Sequence, residues 1–198
     1  MTNNFSMRLI SLLIICLFFV SSCKKDMRLF EKDPKTFLTE YGKQNTENEV
    51  VIKTVGGDIT VKLYDKTPLH RANFIRLVKS NYYVSRIFYR IVYQTAIQGG
   101  GEYLDQLDYL VPPEYIPEYT HKRGAIAMAR YDEGNPEKAS SPTEFFIVTN
   151  ATEAQKLNGL YVVFGEVTKG MDIVDKIQQA PEYYETPAIP VYFRIETL

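Results

Sequence analysis

The sequence is poor in the residues that carry most covalent and metal chemistry. Of its 198 residues only two are cysteine, Cys16 and Cys23, two are histidine, His70 and His121, and none is tryptophan. Cys16 falls in an apolar leader and Cys23 directly after it. The rest of the chain therefore offers no disulfide, no thiol nucleophile and no cysteine-ligated zinc. Two histidines exclude a multi-histidine metal site, and no cofactor is expected. His70, beside Arg71 on a predicted helix, is expected to face solvent. His121 lies in a basic loop with no obvious serine partner, which argues against a hydrolase. A net charge of -1 lacks the basic excess that nucleic-acid binding requires. Composition is otherwise that of a globular domain, with Tyr and Phe supplying all of the 13% aromatic residues.

Long apolar runs are scarce as well, and the clearest is instructive. Met7-Arg8 precedes the run Leu9 to Val20, followed by Val20-Ser21-Ser22-Cys23. A positive start, a short apolar core and small residues before a cut site mark a secretory signal. Twelve helical residues reach only ~18 Å, against the ~30 Å of a bilayer core, so a membrane span is disfavoured. Val20 to Cys23 resembles a bacterial lipobox, and no later cysteine exists for Cys23 to pair with. Residues 1–22 are thus expected to be a lipoprotein signal peptide. Residues 23–48 are expected to be a lipidated Cys23 with a polar tether, containing one possible short helix around Thr36 to Tyr41. This predicts a membrane-anchored protein of the bacterial cell envelope, outside the cytoplasm. Residues 49–198 have the length of one domain with one core.

Within that domain, two apolar-rich runs flank Gly56-Gly57-Asp58, a hairpin signal. Thr67 is a candidate N-cap and Pro68 suits a first helical turn, with Leu69, Phe74, Leu77 and Val78 on one face. Short strand-like runs follow at Ala125 to Ala129, Phe145 to Thr149 and Tyr161 to Val167. A Pro- and Tyr-rich loop spans Tyr109 to Tyr119, a second helix is expected over Asp172 to Gln179, and a last strand over Val191 to Thr197. Many short strands with a helix near each end predict a mainly β fold, a closed barrel capped by two helices.

The segment IFYRIVYQTAIQGGG, Ile87 to Gly101, places an arginine inside a bulky apolar run. Strict alternation puts Phe88, Arg90, Val92 and Gln94 on one face and Ile87, Tyr89, Ile91 and Tyr93 on the other. With both faces largely apolar, Arg90 is not an ordinary solvent-facing residue, although an arginine stem lying on apolar surface is common. The glycines at 99 to 101 do not open a helix in phosphate-loop fashion. They are expected to turn the chain or to let a substrate approach the backbone.

FYRIVYQTAIQGG resembles the strand of the cyclophilins, peptidyl-prolyl isomerases, that bears their catalytic arginine and a substrate-binding glutamine. The likeness continues in order through Arg123 to Ala129, Glu144 to Thr149, Leu157-Asn158-Gly159, Val162 to Val167 and Gly170 to Val174. His121 to Gly124 and Asn135 to Ser141 are similar to the bacterial branch. This resemblance implies an eight-stranded antiparallel β-barrel capped by two helices. It also implies an isomerase of proline-containing segments in unfolded or exported proteins, expected to be monomeric. Arg90 then corresponds to the catalytic donor and Gln98 to the substrate-orienting glutamine. Phe146 and Leu157 correspond to walls of the proline pocket, Tyr161 to the family's histidine position, and Ala129 to a backbone contact.

Several positions depart from the pattern. Thr95 and Ala96 replace a phenylalanine and a methionine of the pocket, which predicts a looser grip on proline, with Tyr93 as a candidate filler. Glu144 replaces a glutamine and Arg130 an asparagine. The two are expected either to pair with each other or to recruit charged residues flanking the proline. Lys156 stands where cyclosporin-binding relatives carry tryptophan, implying weak cyclosporin binding. The retained Arg90 and Gln98 favour an enzyme. Thr95 and Ala96 favour a catalytically weak module that binds proline-containing peptides. A purely structural envelope lipoprotein would bind no such peptide.

Overall fold

A computed structural model describes residues 28, 29, 32–101 and 107–198. The expected signal, the junction with Cys23 and the Leu9 to Val20 run lie outside these residues.

Eight strands close into an antiparallel barrel: β1 (Glu49–Thr54), β2 (Gly57–Leu63), β3 (Arg86–Val92), β4 (Ala96–Gly100), β5 (Ala125–Met128), β6 (Glu144–Val148), β7 (Val163–Lys169) and β10 (Val191–Thr197). Around the barrel the order is β1-β10-β3-β4-β6-β5-β7-β2. A separate two-stranded hairpin, β8 (Glu182–Tyr183) and β9 (Thr186–Pro187), lies against β3. Alternation in β1 and β2 sends Val50, Ile52, Ile59 and Val61 into the core, and Gly57 supplies the positive φ that turns one strand into the other. The large rings of Phe74, Phe88, Phe145 and Phe164 fill the centre in tilted and edge-on contacts, and Tyr83 joins them. They provide the volume that tryptophan often supplies.

Two helices feed side chains into this core. Helix α2 (Pro68–Lys79) contributes Phe74, Ile75, Leu77 and Val78; helix α4 (Met171–Gln178), one residue earlier than expected, contributes Ile173, Val174 and Ile177. A single-turn helix, α3 (Ala151–Ala154), leads into a 3-10 turn over Gln155–Leu157.

The expected tether is only partly a tether. Pro34–Gln44 forms helix α1, capped by Asp33, whose carboxylate accepts from the Thr36 N–H at 2.7 Å. Leu38 is fully buried, and Gly42 lets the Ala72 methyl of α2 approach closely. Leu29 is buried as well, and its N–H donates to Asp108 at 2.7 Å. The polar composition of residues 24 to 48 hid this docking, because its apolar contacts come from a few residues, Leu29, Phe37, Leu38 and Tyr41, set among charged ones.

His70 does not face solvent. It is fully buried, with Nδ1 2.6 Å from Glu114 Oε2 and Nε2 3.0 Å from Ser140 Oγ. Glu114 also accepts from the Leu69 and His70 N–H groups, both at 3.0 Å. Thr67, expected to cap α2, makes no side-chain cap bond. The cap comes from 45 residues away and ties the Tyr109 to Tyr119 loop to the helix. Ser140, His70 and Glu114 have the order of a hydrolytic triad. Both Ser140 and His70 are enclosed, however, so the arrangement works as a buried pin.

Candidate active site

Arg90 owes its position to a β-bulge. Phe88 pairs with Gly99, yet Arg90 pairs with Gln98, so two steps along β3 answer one step along β4. Alternation breaks there. Phe88 and Ile91 both point into the core, while Arg90 turns outward, side by side with Gln98. Phe88 and Arg90 therefore do not share a face, contrary to strict alternation. The glycines serve the barrel rather than a substrate: a side chain on Gly99 would strike the Phe88 ring, and one on Gly100 would strike the Thr143 carbonyl.

A cavity of about 270 Å³ opens beside Arg90 on the outer surface of the barrel. Strands β3 and β4 and the turn between them supply Arg90, Val92, Thr95, Ala96 and Gln98 to its wall. Ala129 and Arg130 follow β5, Phe146 lies on β6, and Lys156, Leu157 and Tyr161 come from the segment before β7. All the nominated residues except Glu144 thus line one cavity. Val92, Arg130 and Lys156 complete the wall, the last two being positions where the sequence departs from the family pattern.

The floor is a stack of rings. Phe146 lies parallel to His121 at 5.8 Å between centroids and meets Tyr161 edge-on at 5.6 Å. The Arg130 guanidinium covers the Tyr161 ring at 5.1 Å, a cation–π contact that fixes the far wall. His121 is buried and donates through Nδ1 to Asn158 Oδ1 at 2.8 Å. Its Nε2 has no partner among the described residues, and burial pushes its pKa down. His121 was set aside in the sequence; its place under Phe146 was not visible from spacing. Tyr93 does not fill the gap left by Thr95 and Ala96. It is 76% exposed, while Thr95 spends its hydroxyl on the Tyr93 carbonyl at 3.1 Å.

The polar edge of the cavity is one connected network. Arg90 Nε donates to Glu185 Oε2 at 2.6 Å, and Nη1 reaches Gln98 Oε1 at a long 3.3 Å. Gln98 Nε2 donates to the Tyr89 hydroxyl at 2.6 Å, and Tyr89 in turn bonds the Glu144 carboxylate. Burial raises the Glu144 pKa, opposed by the hydrogen bonds from Tyr89 and Ser141. Burial, and then the charge of Glu144, raise that of Tyr89 well beyond the usual phenol range. Glu144 and Arg130 do not pair with each other. Arg130 binds Asp132 at 2.8 Å and the Leu160 carbonyl at 2.9 Å. The Ala129 backbone is engaged too, its N–H with Glu144 O and its C=O with Ser141 N, both at 2.8 Å. The neighbouring Arg130 N–H and C=O make no hydrogen bond among the described residues, so the free backbone edge lies one residue further on than expected.

Such an arrangement can hold a small apolar ring against Phe146 while presenting a fixed cation and a backbone edge to the adjoining amide. Comparison with known proteins agrees. The sequence model of the family described as "Cyclophilin type peptidyl-prolyl cis-trans isomerase/CLD" matches residues 49–196. A peptidyl-prolyl cis-trans isomerase of Acinetobacter baylyi is 38% identical over 140 residues, covering 67% of this chain and 72% of that protein. Peptidyl-prolyl cis-trans isomerase A of Dickeya dadantii is 34% identical, covering 74% and 82%. The crystal structure of a cyclophilin type peptidyl-prolyl cis-trans isomerase from Cryptosporidium parvum superposes with a TM-score of 0.69 at 26% identity, covering 77% of this chain and 98% of that one. A second structure of that protein, in the presence of the dipeptide Ala-Pro, gives a TM-score of 0.65 at 26% identity, covering 76% and 98%. The chain belongs to the cyclophilin family of peptidyl-prolyl cis-trans isomerases.

Proposed function

We propose that this protein accelerates cis–trans rotation about X–Pro bonds in unfolded or exported polypeptides, with Arg90 as the donor to the proline nitrogen. The observation that carries the reading is Arg90 on the rim of the apolar cavity, tied to Glu185 and Gln98. Peptide C–N rotation faces a barrier of about 18–20 kcal/mol because of amide resonance. In the twisted transition state the proline nitrogen recovers its lone pair and can accept a hydrogen bond. A donor aimed there stabilises the transition state more than the planar ground state, which is what catalysis requires. A hydrogen bond to a charged group is worth roughly 1.5–3 kcal/mol, or about 10- to 150-fold in rate. Seclusion of the ring against Phe146 contributes further, since the twisted amide carries less charge separation than the planar one.

Phe146, Leu157 and Tyr161 then take the proline ring, Gln98 orients the chain, and the Arg130 backbone edge pairs with the peptide. Thr95 and Ala96 leave the wall open, which weakens the grip but leaves the donor in place. The leader, with Val20-Ser21-Ser22-Cys23, supports a lipid anchor on Cys23 and action at the bacterial cell envelope, outside the cytoplasm. Each buried acyl CH₂ contributes about 0.8 kcal/mol to such an anchor. The reading is tested by NMR of an X–Pro peptide mixed with the protein. Exchange broadening between cis and trans signals is the expected result. Binding shifts without broadening would instead identify a module that grips proline segments and does not isomerise them.

A further inference from the structure

The hairpin of β8 and β9 is an unusual companion for Arg90. Strand β10 pairs with β3 only over Arg86–Phe88, and beyond the bulge the hairpin takes over that edge. Among the described residues its hydrogen bonds to β3 come from one residue. Glu185 O accepts from the Ile91 N–H at 2.6 Å, while Glu185 Oε2 accepts from Arg90 Nε at 2.6 Å. The two-residue turn between β8 and β9 keeps Tyr184 at φ 48° and Glu185 at φ 64°, the left-handed pair of a tight hairpin, and this places the Glu185 carbonyl and carboxylate on β3. Two consecutive side-chain-bearing residues in the left-handed region are strained, and such strain persists where the surroundings impose it. The Glu182 carboxylate holds the Glu185 N–H, and Ala188 N–H to Pro181 O at 2.8 Å closes the base of the hairpin. The strain brings little stability in return. The Arg90–Glu185 pair is 47% and 44% exposed, and exposed pairs are weak.

We infer that Glu185 is a positioning residue for Arg90, its carboxylate fixing the guanidinium Nε so that the Nη groups face the proline site. A guanidinium is planar, so one bond at Nε and a second contact from Nη1 to Gln98 define both its direction and its plane. With Glu185 removed, the longer Gln98 contact alone restrains a half-exposed side chain. This inference rests on the isomerase reading above, and its test separates the two.

X–Pro relaxation is followed with wild type, Glu185→Ala, Glu185→Gln, Arg90→Ala and the Glu185→Ala/Arg90→Ala double variant. Peptide dissociation constants and the Arg90 Nε–H NMR signal are measured alongside. Glu185→Ala is expected to lower the catalysed rate constant about three- to tenfold, because small misplacements of a catalytic group are costly. Peptide affinity is expected to change little, and Glu185→Gln, which keeps an acceptor oxygen at the same reach, to recover part of the loss. The double variant should be no slower than Arg90→Ala alone, since Glu185 acts only through Arg90. A wild-type rate in Glu185→Ala, or an equal loss in both backgrounds, would overturn the inference. If wild type itself does not catalyse, the isomerase reading fails. The clamp is then decided by the Arg90 Nε–H signal, which must move in Glu185→Ala and would overturn the inference by staying put.

Discussion

A guanidinium offers several N–H donors in a fixed plane and no acceptor, so on the proposed reading Arg90 serves as the hydrogen-bond donor to the proline nitrogen. What varies at the residue scale is how tightly proline is held beside it. Thr95 and Ala96 leave the wall of the cavity unfilled, and Tyr93 points away into solvent. Thr95→Phe adds apolar contact worth roughly 1 kcal/mol at about 25 cal/mol per Å². Peptide titration should then show binding tighter by about fivefold, and unchanged affinity would mean that the ring sits elsewhere. Glu144 gives a second test. Burial raises its carboxyl above the ordinary range, so the fold prefers the protonated form. That contribution is complete below the unfolded carboxyl pKa and is lost as pH rises through the raised value. Glu144→Gln stays neutral throughout. Its melting temperature should match wild type below about pH 4, exceed it increasingly as pH rises through the raised value, and keep a constant margin above that. A constant difference across pH would contradict the burial effect.

At the scale of elements, helix α1 makes a separate demand. Leu38 anchors it against α2, with Gly42 allowing the close approach to Ala72. Leu38→Ala should cost about 2–4 kcal/mol in denaturant unfolding, as other buried leucines do. A loss below half a kcal/mol would mean that α1 is not part of the cooperative unit. The same scale shows where the sequence was informative. Strands and helices with a plain period were readable: the β1–β2 hairpin, the apolar face of α2 and the last strand β10. What periodicity could not supply were features made by distant partners. The β3 bulge depends on its pairing with β4, so alternation alone put Phe88 beside Arg90. Capping of α2 by Glu114 and the burial of His70 depend on a loop that composition marks only as Pro- and Tyr-rich. The cavity residues were legible through resemblance to a family. Glu185, beside that cavity and not nominated by the resemblance, comes from a hairpin with no strong pattern of its own.

For the molecule as a whole, closing the barrel fills its interior with side chains and leaves chemistry to the outer surface. The cavity is therefore shallow, and at about 270 Å³ it suits one small ring better than an extended ligand. Such a site needs no thiol, metal or cofactor, in keeping with a chain so poor in cysteine and histidine. A surface pocket beside a fixed cation also suits substrates that are themselves long chains, since the polypeptide on either side of proline can run out into solvent. The central claim is that Arg90 lowers the barrier to X–Pro rotation. It is tested most directly by following cis-to-trans relaxation of several X–Pro peptides with the chain from Lys24 onward, as wild type and as Arg90→Ala. Acceleration by the wild type that falls about tenfold or more in the variant is the predicted result. The uncatalysed rate in both, from folded protein and across all flanking residues, would contradict it.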